Sequence, residues 1–179
     1  PAKRFGFFPS PDAVIAELFD GVYIKPGDRV LEPSAGTGAI ARVAAEKGGL
    51  VDCVEIQRHL ADELAASDLY ANVHCQDFHD FTPTAPYSKV IMNPPFDRGR
   101  DIDHIMKAWD MLAPGGVLVS VMHAGIEFSQ TKKAKAFRAF AEKHRLSRWG
   151  RGPFRDLPEG SFKESGTNVN TVIVALGKP

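Results

Sequence analysis

A glycine-rich turn that begins with an acidic residue is the first feature of the sequence that could do chemistry. The turn, Glu32–Gly38 (EPSAGTG), follows a short apolar stretch that predicts a buried strand. It lacks the spacing of a dinucleotide fingerprint, and no Gly-Lys-Ser or Gly-Lys-Thr follows it as in a phosphate-binding P-loop. Because an anionic Glu32 would repel a pyrophosphate and attract a cation, the turn predicts a pocket for a cationic ligand.

Two further acids follow the next two predicted strands. Glu55 ends the second strand, where a carboxylate is placed to accept hydrogen bonds from ribose hydroxyls. Asp77 follows the third strand and could accept a hydrogen bond from an adenine amino group. Ligands of open α/β sheets bind at the carboxyl ends of strands, so the three acids together describe a nucleoside that carries a positive centre. S-adenosyl-L-methionine is such a ligand.

Strand and helix patterns alternate along the chain, which implies βαβ crossovers, a mostly parallel sheet and one three-layer domain, residues 1–179. Ser10 is predicted to cap the first helix, with Pro11 at its first position. A closing pair of strands would add an antiparallel strand at the edge of the sheet. The predicted strands are Arg29–Glu32, Leu50–Ile56, Ala71–Cys75, Tyr87–Met92, Val117–Met122, Ser147–Phe154 and Asn168–Leu176, and the predicted helices are Pro11–Phe19, Ala39–Lys47, Arg58–Ser67, Asp101–Leu112 and Thr131–His144.

The segments VLEPSAGTGAIA, VDCVEI and CQDF resemble the first three motifs of the class I S-adenosylmethionine-dependent methyltransferases. This resemblance implies a Rossmann-like αβα sandwich with a mostly parallel seven-stranded sheet and one antiparallel C-terminal strand. It also implies S-adenosyl-L-methionine as the cofactor. The implied cofactor-binding residues in these motifs are Glu32, Pro33, Ser34, Ala35, Gly36, Gly38, Glu55, Ile56, Asp77 and Phe78.

The run Asn93-Pro94-Pro95-Phe96 after the fourth predicted strand resembles the catalytic motif of amino methyltransferases. That motif occurs in DNA adenine N6 enzymes and in protein glutamine N5 enzymes. The Asn93 side-chain oxygen and the Pro94 carbonyl would each accept one amine hydrogen, and Asn93 would also adjoin the cofactor. The prolines stiffen the turn and lack competing N–H groups, whereas Phe96 would stack on the target base.

Two segments outside these motifs resemble N6-adenine modification subunits of type I-like restriction systems. The C-terminal LPEGSF and GTNVNTVIV resemble their closing segment, which implies that Phe162 faces a flipped adenine. A role for Phe162 in loop packing remains the alternative. The N-terminal FFPSP resembles the segment that covers the methionine part of the cofactor, so Phe8, Pro9 and Ser10 are further cofactor-binding candidates. Helix capping explains Ser10 almost as well.

The sequence is neutral overall, with 22 basic and 22 acidic side chains, but its charge is uneven. The stretch Thr131–Arg155 holds nine Lys and Arg residues and a single acid, Glu142. Such a stretch is either a solvated helix face or a footprint for a polyanion. Together with the methyltransferase resemblance it favours DNA as the partner, with Lys132, Lys133 and Lys135 as phosphate contacts. An RNA adenine or a protein glutamine remains an alternative substrate.

The chain of 179 residues offers no room for a separate target-recognition domain, so specificity would come from a partner subunit, a homodimer or short loops. Its 44% apolar and 25% charged residues are typical of a globular domain rather than a disordered one. No apolar run suits a membrane span or a secretory leader, and two cysteines cannot form a disulfide framework. We therefore expect a cytoplasmic protein without a membrane partner, and the His and Cys spacing predicts no metal site.

Overall fold

The computed structural model describes residues 8–146 and 152–179, which form a seven-stranded sheet with helices on both faces. The strand order across the sheet is β3-β2-β1-β4-β5-β7-β6. The strands are β1 (Arg29–Glu32), β2 (Leu50–Val54), β3 (Asn72–His74), β4 (Tyr87–Met92), β5 (Leu112–His123), β6 (Phe154–Asp156) and β7 (Thr171–Gly177), and the helices are α1 (Asp12–Phe19), α2 (Ala39–Glu46), α3 (Arg58–Ala66), α4 (Arg100–Asp110) and α5 (Lys132–His144).

Alternate residues of the central strands pack into two separate apolar cores, one on each face of the sheet. On β4, Ile91 packs with α1, α2 and α3, whereas Val90 and Met92 pack with α4 and α5. A strand segment buried on both faces has a continuous apolar sequence, as Val90-Ile91-Met92 at the end of β4 does. The predicted three-layer αβα sandwich with a mostly parallel sheet is thereby confirmed.

The antiparallel strand does not lie at the edge of the sheet, contrary to the sequence prediction. β7 pairs antiparallel with β5 along Val117–His123 and, on its other side, with β6. β6 therefore runs parallel to β1–β5 and takes the edge position. β7 is buried on both faces, which is why its residues 172–176 (VIVAL) are all apolar.

β5 begins earlier than predicted, at Leu112 rather than Val117. The sequence Pro114-Gly115-Gly116, which predicts a turn, lies inside this strand, where the pairing register with β4 shifts between Tyr87 and Lys89. Gly115 adopts a φ of 78° and donates its N–H to the Lys178 carbonyl at 2.9 Å. The turn signal therefore marks an irregularity within an extended strand.

Ser10 does not cap α1 as predicted. The helix begins after Pro11, and no side chain caps it with a hydrogen bond. The Ser10 hydroxyl lies instead beside Asn93, at the end of β4. Most of the predicted strand Ser147–Phe154 lies outside the described residues, and β6 begins at Phe154.

No helix among residues 8–146 and 152–179 combines the length and the apolar character that crossing a bilayer requires.

A substitution of Gly38, which lies at the start of α2, tests how tightly the glycine turn is packed. It adopts a φ of 88°, and a Cβ there would lie 2.7 Å from Leu64 Cδ2 and 2.8 Å from the Tyr70 hydroxyl. We expect Gly38→Ala to cost about 1–2 kcal/mol for the left-handed backbone and about 1–3 kcal/mol more for crowding. The free energy of unfolding obtained by urea denaturation measures the sum of the two costs.

Gly27→Ala is the matched control, because Gly27 has a φ of 85° and nothing within 4 Å of an added Cβ. Its cost should stop at the backbone value of about 1–2 kcal/mol. Equal losses in the two variants would show that Leu64 and Tyr70 do not restrict the turn.

Candidate functional site

The glycine-rich turn is fastened by the acid that ends the neighbouring strand. Glu55 is buried, and its Oε2 accepts a hydrogen bond from the Gly36 N–H at 2.6 Å. Its Oε1 accepts from the Gln57 N–H at 2.9 Å, and the Ala35 N–H donates to the Val54 carbonyl at 3.0 Å. The carboxylate therefore links the β1–α2 turn to the end of β2 and fixes both sides of a cleft.

Glu32 lies beside Glu55 and is only 2% exposed. Its Oε1 accepts a hydrogen bond from the Ser34 N–H at 3.0 Å. Burial, reinforced by the nearby charge of Glu55, raises the pKa of Glu32 to about 8. The carboxyl is therefore mostly protonated at neutral pH, and a cation brought beside it would favour its ionised form.

A cleft of about 520 Å³ opens where the carboxyl ends of β1, β2 and β3 meet. Asp77 lies at its far side, and its Oδ1 accepts a hydrogen bond from the His79 N–H at 2.9 Å. The predicted cofactor residues that line this cleft are Pro33, Ser34, Glu55, Ile56, Asp77 and Phe78. The chain thus brings together the residues of all three motifs, as their positions at successive strand ends require.

Two residues of the same cleft, Arg100 and His104, were missed by the sequence analysis. Both belong to α4, and their spacing of four residues places them on one helix face. Burial lowers the pKa of His104 to about 4, so its ring is neutral at physiological pH. Its ring packs against Phe78 with centroids 5.4 Å apart. The i,i+4 spacing was visible in the sequence, but no motif connected α4 with this end of the sheet.

The Asn93 amide connects the cofactor turn with the N-terminal segment. It is 4% exposed, and its Nδ2 donates to the Phe8 carbonyl and to the Ser10 hydroxyl, both at 2.9 Å. Asn93 Oδ1 is buried and has no hydrogen-bond partner within residues 8–146 and 152–179. Since a carbonyl can only accept, the Phe8 contact fixes which amide atom is nitrogen. Asn93 and Ser10 line a small pocket together with Glu32, Ser34 and Ala35.

Phe96 separates the buried motif from a second, wider cleft. Pro94 and Pro95 are buried, and Phe96 is 9% exposed and lines a space of about 1490 Å³ between the segments that follow β4 and β5. Phe162 lies behind it, fully buried, with the two rings edge to face at 6.4 Å. Phe162 therefore supports Phe96 from the core, which is the packing role that the sequence left as the alternative.

The lysines of α5 point away from the sheet. Lys132, Lys133 and Lys135 are exposed, whereas Ala134 and Phe137 on the same helix are buried. Lys133 Nζ lies 2.7 Å from Asp103 Oδ1, so this cation is already paired across to α4. Other cations of the basic stretch also have partners or fall outside the described part of the chain: Arg138 contacts the carbonyls of Ile126 and Ser129, Arg155 pairs with Glu17 and Asp20, and Arg148 and Arg151 are not described.

No group of three or more His, Cys, Asp or Glu side chains in the described residues is arranged to hold a metal ion.

The amino-acid sequence between residues 14 and 148 matches the Methyltransferase small domain family. The chain belongs to this family. The match covers the glycine turn, the three acids and Asn93–Phe96. The fold agrees with that of a putative class I S-adenosylmethionine-dependent methyltransferase from Listeria monocytogenes, which superposes with a TM-score of 0.73 at 19% sequence identity over 94% of this chain and 60% of that chain. S-adenosyl-L-methionine is therefore the cofactor of this domain.

Two curated relatives share parts of the sequence. Ribosomal RNA small subunit methyltransferase A of Colwellia psychrerythraea is 38% identical over 63 residues, 35% of this chain and 21% of that protein. Protein-L-isoaspartate O-methyltransferase of Methylorubrum extorquens is 34% identical over 113 residues, 59% of this chain and 46% of that protein. The chain spans about a fifth to a half of the length of these relatives, whose names give different substrates.

Among solved structures, the methyltransferase subunit of a type I restriction-modification system from Streptococcus thermophilus superposes with a TM-score of 0.75. The superposition covers 96% of this chain and 44% of the subunit, at 17% sequence identity. The two proteins therefore share the methyltransferase fold.

Glu32 should lose a proton when the cationic cofactor binds. Its pKa of about 8 keeps the empty site mostly protonated at pH 7, and a nearby sulfonium or ammonium group would lower that pKa. We expect binding at pH 7 to release most of one proton and the affinity to rise as the pH approaches 8. Calorimetry in two buffers that differ in ionisation enthalpy measures the release.

Glu32→Gln is the control, because it keeps the Ser34 contact and cannot ionise. The Gln variant should lack the proton release that Glu32 contributes, and it should bind the cofactor about tenfold more weakly. Protons released by the cofactor's own amino group are common to both proteins, so equal release from both would contradict a role for Glu32.

Proposed function

We propose that the protein transfers the methyl group of S-adenosyl-L-methionine to the exocyclic N6 amine of adenine in DNA. The observation that carries this proposal is the buried Asn93 Oδ1 beside the cofactor turn, which has no hydrogen-bond partner among residues 8–146 and 152–179. A buried acceptor without a donor costs about 1–3 kcal/mol, and an amine that enters the site would remove this cost.

The hydrogen bonds of Asn93 favour an amine as the acceptor of the methyl group. Both Nδ2 hydrogens are engaged by Phe8 and Ser10, so only the oxygen faces an incoming group. Asn93 Oδ1 and the Pro94 carbonyl would each accept one hydrogen of a planar amine. Two acceptors would hold the nitrogen and favour its pyramidalisation as it attacks. Orientation and these two acceptors then supply the rate without a strong general base.

The first cleft suits the nucleoside part of the cofactor. Bound S-adenosyl-L-methionine supplies an electrophilic methyl group on a sulfonium sulfur. We assign Glu55 to the ribose hydroxyls, Asp77 to the adenine amino group and Glu32 to the cationic end. The neighbouring contacts would come from Phe8, Pro9, Ser10, Pro33, Ser34, Ala35, Gly36, Gly38, Ile56 and Phe78. Glu55 already accepts two backbone hydrogen bonds, and each carboxylate oxygen has a second lone pair for a ribose hydroxyl.

DNA is favoured over other substrates by the exposed cations of α5 and by the aromatic wall at Phe96. Lys132 and Lys135 project into solvent, where they can contact phosphates. A base in a duplex would have to leave the stack to reach Asn93. We further propose that a partner subunit or a second copy of the chain contributes sequence specificity.

RNA adenine is the second candidate, and the 63-residue match to a ribosomal RNA methyltransferase favours it. A protein glutamine is the third, because its planar amide nitrogen also presents two hydrogens to Asn93 and Pro94.

Asn93→Ala should lower methyl transfer about 100- to 1,000-fold, since it removes an acceptor used in the transition state. Cofactor binding measured by calorimetry should persist. The assay follows a tritiated methyl group into duplex DNA, single-stranded DNA, RNA and a release-factor protein. Mass spectrometry then identifies the product, which we expect to be N6-methyladenine in DNA.

Asn72→Ala is the matched control. Asn72 lies at the start of β3, at the opposite end of the strands from the catalytic turn, and its side chain donates a hydrogen bond to Asp52 on β2. It should leave transfer within about twofold. Wild-type activity in Asn93→Ala would contradict the mechanism, and a methylated glutamine would contradict the proposed substrate.

Reversing the charge of Lys132 and Lys135 together should weaken oligonucleotide binding. Two lost phosphate contacts would reduce the slope of log affinity against log salt by about 1.8. Lys143→Glu is the control, since Lys143 is exposed on the same helix, about two to three turns further along. Fluorescence anisotropy across a salt series measures the slope. If the double variant and the control behave alike, α5 is only a solvated face.

A further inference from the structure

The segment of residues 124–131, between β5 and α5, is held rigidly at the rim of the wide cleft. Arg138 on α5 donates to the Ile126 carbonyl at 2.8 Å and to the Ser129 carbonyl at 2.7 Å. His123 Nδ1 accepts from the Gly125 N–H at 2.8 Å, and the Thr131 hydroxyl accepts from the Ala134 N–H at 3.2 Å. The Arg138 side chain therefore stabilises the conformation of this segment.

Phe128 lies at the exposed part of this rigid segment. Its side chain is 74% exposed, the highest value among the large apolar residues that are exposed in residues 8–146 and 152–179. Ile126, two positions earlier, is buried in the core against α5. A large aromatic ring left in water contributes little to the core, and a singly exposed apolar side chain is normal on a protein surface, so the groups around Phe128 decide whether it belongs to a binding surface.

The location of Phe128 connects it with the catalytic motif. Ile126 and Ser129, on either side of it, line the wide cleft that also contains Phe96. The same cleft is lined by Arg98, an exposed cation two residues after Phe96, and by Lys133, which is paired with Asp103. Two acids also line it: Asp97 is paired with Arg100, and Asp101 accepts hydrogen bonds from the His123 and Ile102 N–H groups. An aromatic ring and cations around one cleft are the combination that binds single-stranded or unstacked nucleic acid.

Glu127, the acid next to Phe128, reduces the positive charge of this surface only weakly. Glu127 lies near Asp156 on β6, and burial, reinforced by that neighbouring acid, raises the pKa of Glu127 to about 7. Glu127 therefore carries less than a full negative charge near neutral pH.

We propose that Phe128 stacks on the nucleobase next to the target adenine and thereby holds the substrate strand while the target enters the Asn93 site. This inference rests on the proposed function, because it requires a nucleic-acid substrate. Phe128 would act on binding and positioning of the strand and not on the methyl transfer itself.

The test compares Phe128→Ala, Phe128→Leu and Phe128→Trp with the wild type in methyl transfer to an adenine-containing oligonucleotide. We expect the alanine and leucine variants to raise KM about tenfold and to change kcat less than about twofold. The tryptophan variant should restore the wild-type KM, since stacking needs a planar ring. Cofactor affinity and thermal stability should stay at wild-type values in all three.

Tyr23→Ala is the matched control. Tyr23 is 69% exposed but precedes β1, at the amino ends of the parallel strands, so its loss should leave KM unchanged. A second readout places 2-aminopurine next to the target adenine. Its fluorescence should be quenched on binding the wild type and the tryptophan variant, and quenched much less by the alanine variant.

The outcomes separate this inference from the proposed function. If the wild type methylates an oligonucleotide and Phe128→Ala does so with the same KM, the role of Phe128 is overturned and the function stands. An equal rise in KM in the leucine and tryptophan variants would also overturn the stacking role of Phe128. So would a rise in KM that is explained by lower thermal stability. If the wild type methylates only a protein, both proposals fall together.

Discussion

The hydrogen bonds that fix the Asn93 amide are the constraint on which the account of this protein depends. The Phe8 carbonyl and the Ser10 hydroxyl hold the amide nitrogen at 2.9 Å each, and the buried amide oxygen has no donor within the described part of the chain. This arrangement needs β4 to end beside β1 and the segment before α1 to cross both strand ends. The central strands β1, β4 and β5 place those ends at one rim of the sheet.

The two buried glutamates at the same rim have opposite tasks. Glu55 accepts hydrogen bonds from the Gly36 and Gln57 N–H groups and so holds the turn in shape. Glu32 accepts a hydrogen bond from the Ser34 N–H, and its burial, together with the charge of Glu55, raises its pKa and disfavours its ionised form until a cation arrives. One acid therefore maintains the pocket, and the other is ready to respond to a charged ligand.

Much of the fold could be predicted because its signals are local. β4 ends where expected since Pro94 and Pro95 cannot continue the ladder, and the glycine turn stops β1 in the same way. β7 was misplaced at the sheet edge because pairing partners depend on the whole fold. The sequence Pro114-Gly115-Gly116 was wrongly predicted to form a turn. These residues lie inside β5 because of the irregular pairing with β4, which is also a property of the whole fold.

The candidate site was predictable where motifs mark it and not elsewhere. Motif positions placed Glu32, Glu55 and Asp77 around one rim. The contact between Ser10 and Asn93 spans 83 positions in the sequence, so local capping rules gave Ser10 the wrong partner. His104 was missed because only the packing of α4 against Phe78 brings it to the cleft. The burial of Phe162 behind Phe96 likewise results from long-range packing.

A crystal structure with the demethylated cofactor and an oligonucleotide that carries the target adenine tests the central claim most directly. We predict that the adenine N6 lies about 3 Å from both Asn93 Oδ1 and the Pro94 carbonyl oxygen, while the Asn93 nitrogen still donates to Phe8 and Ser10. An adenine bound away from Asn93, or an Asn93 amide turned so that its nitrogen faces the base, would contradict it.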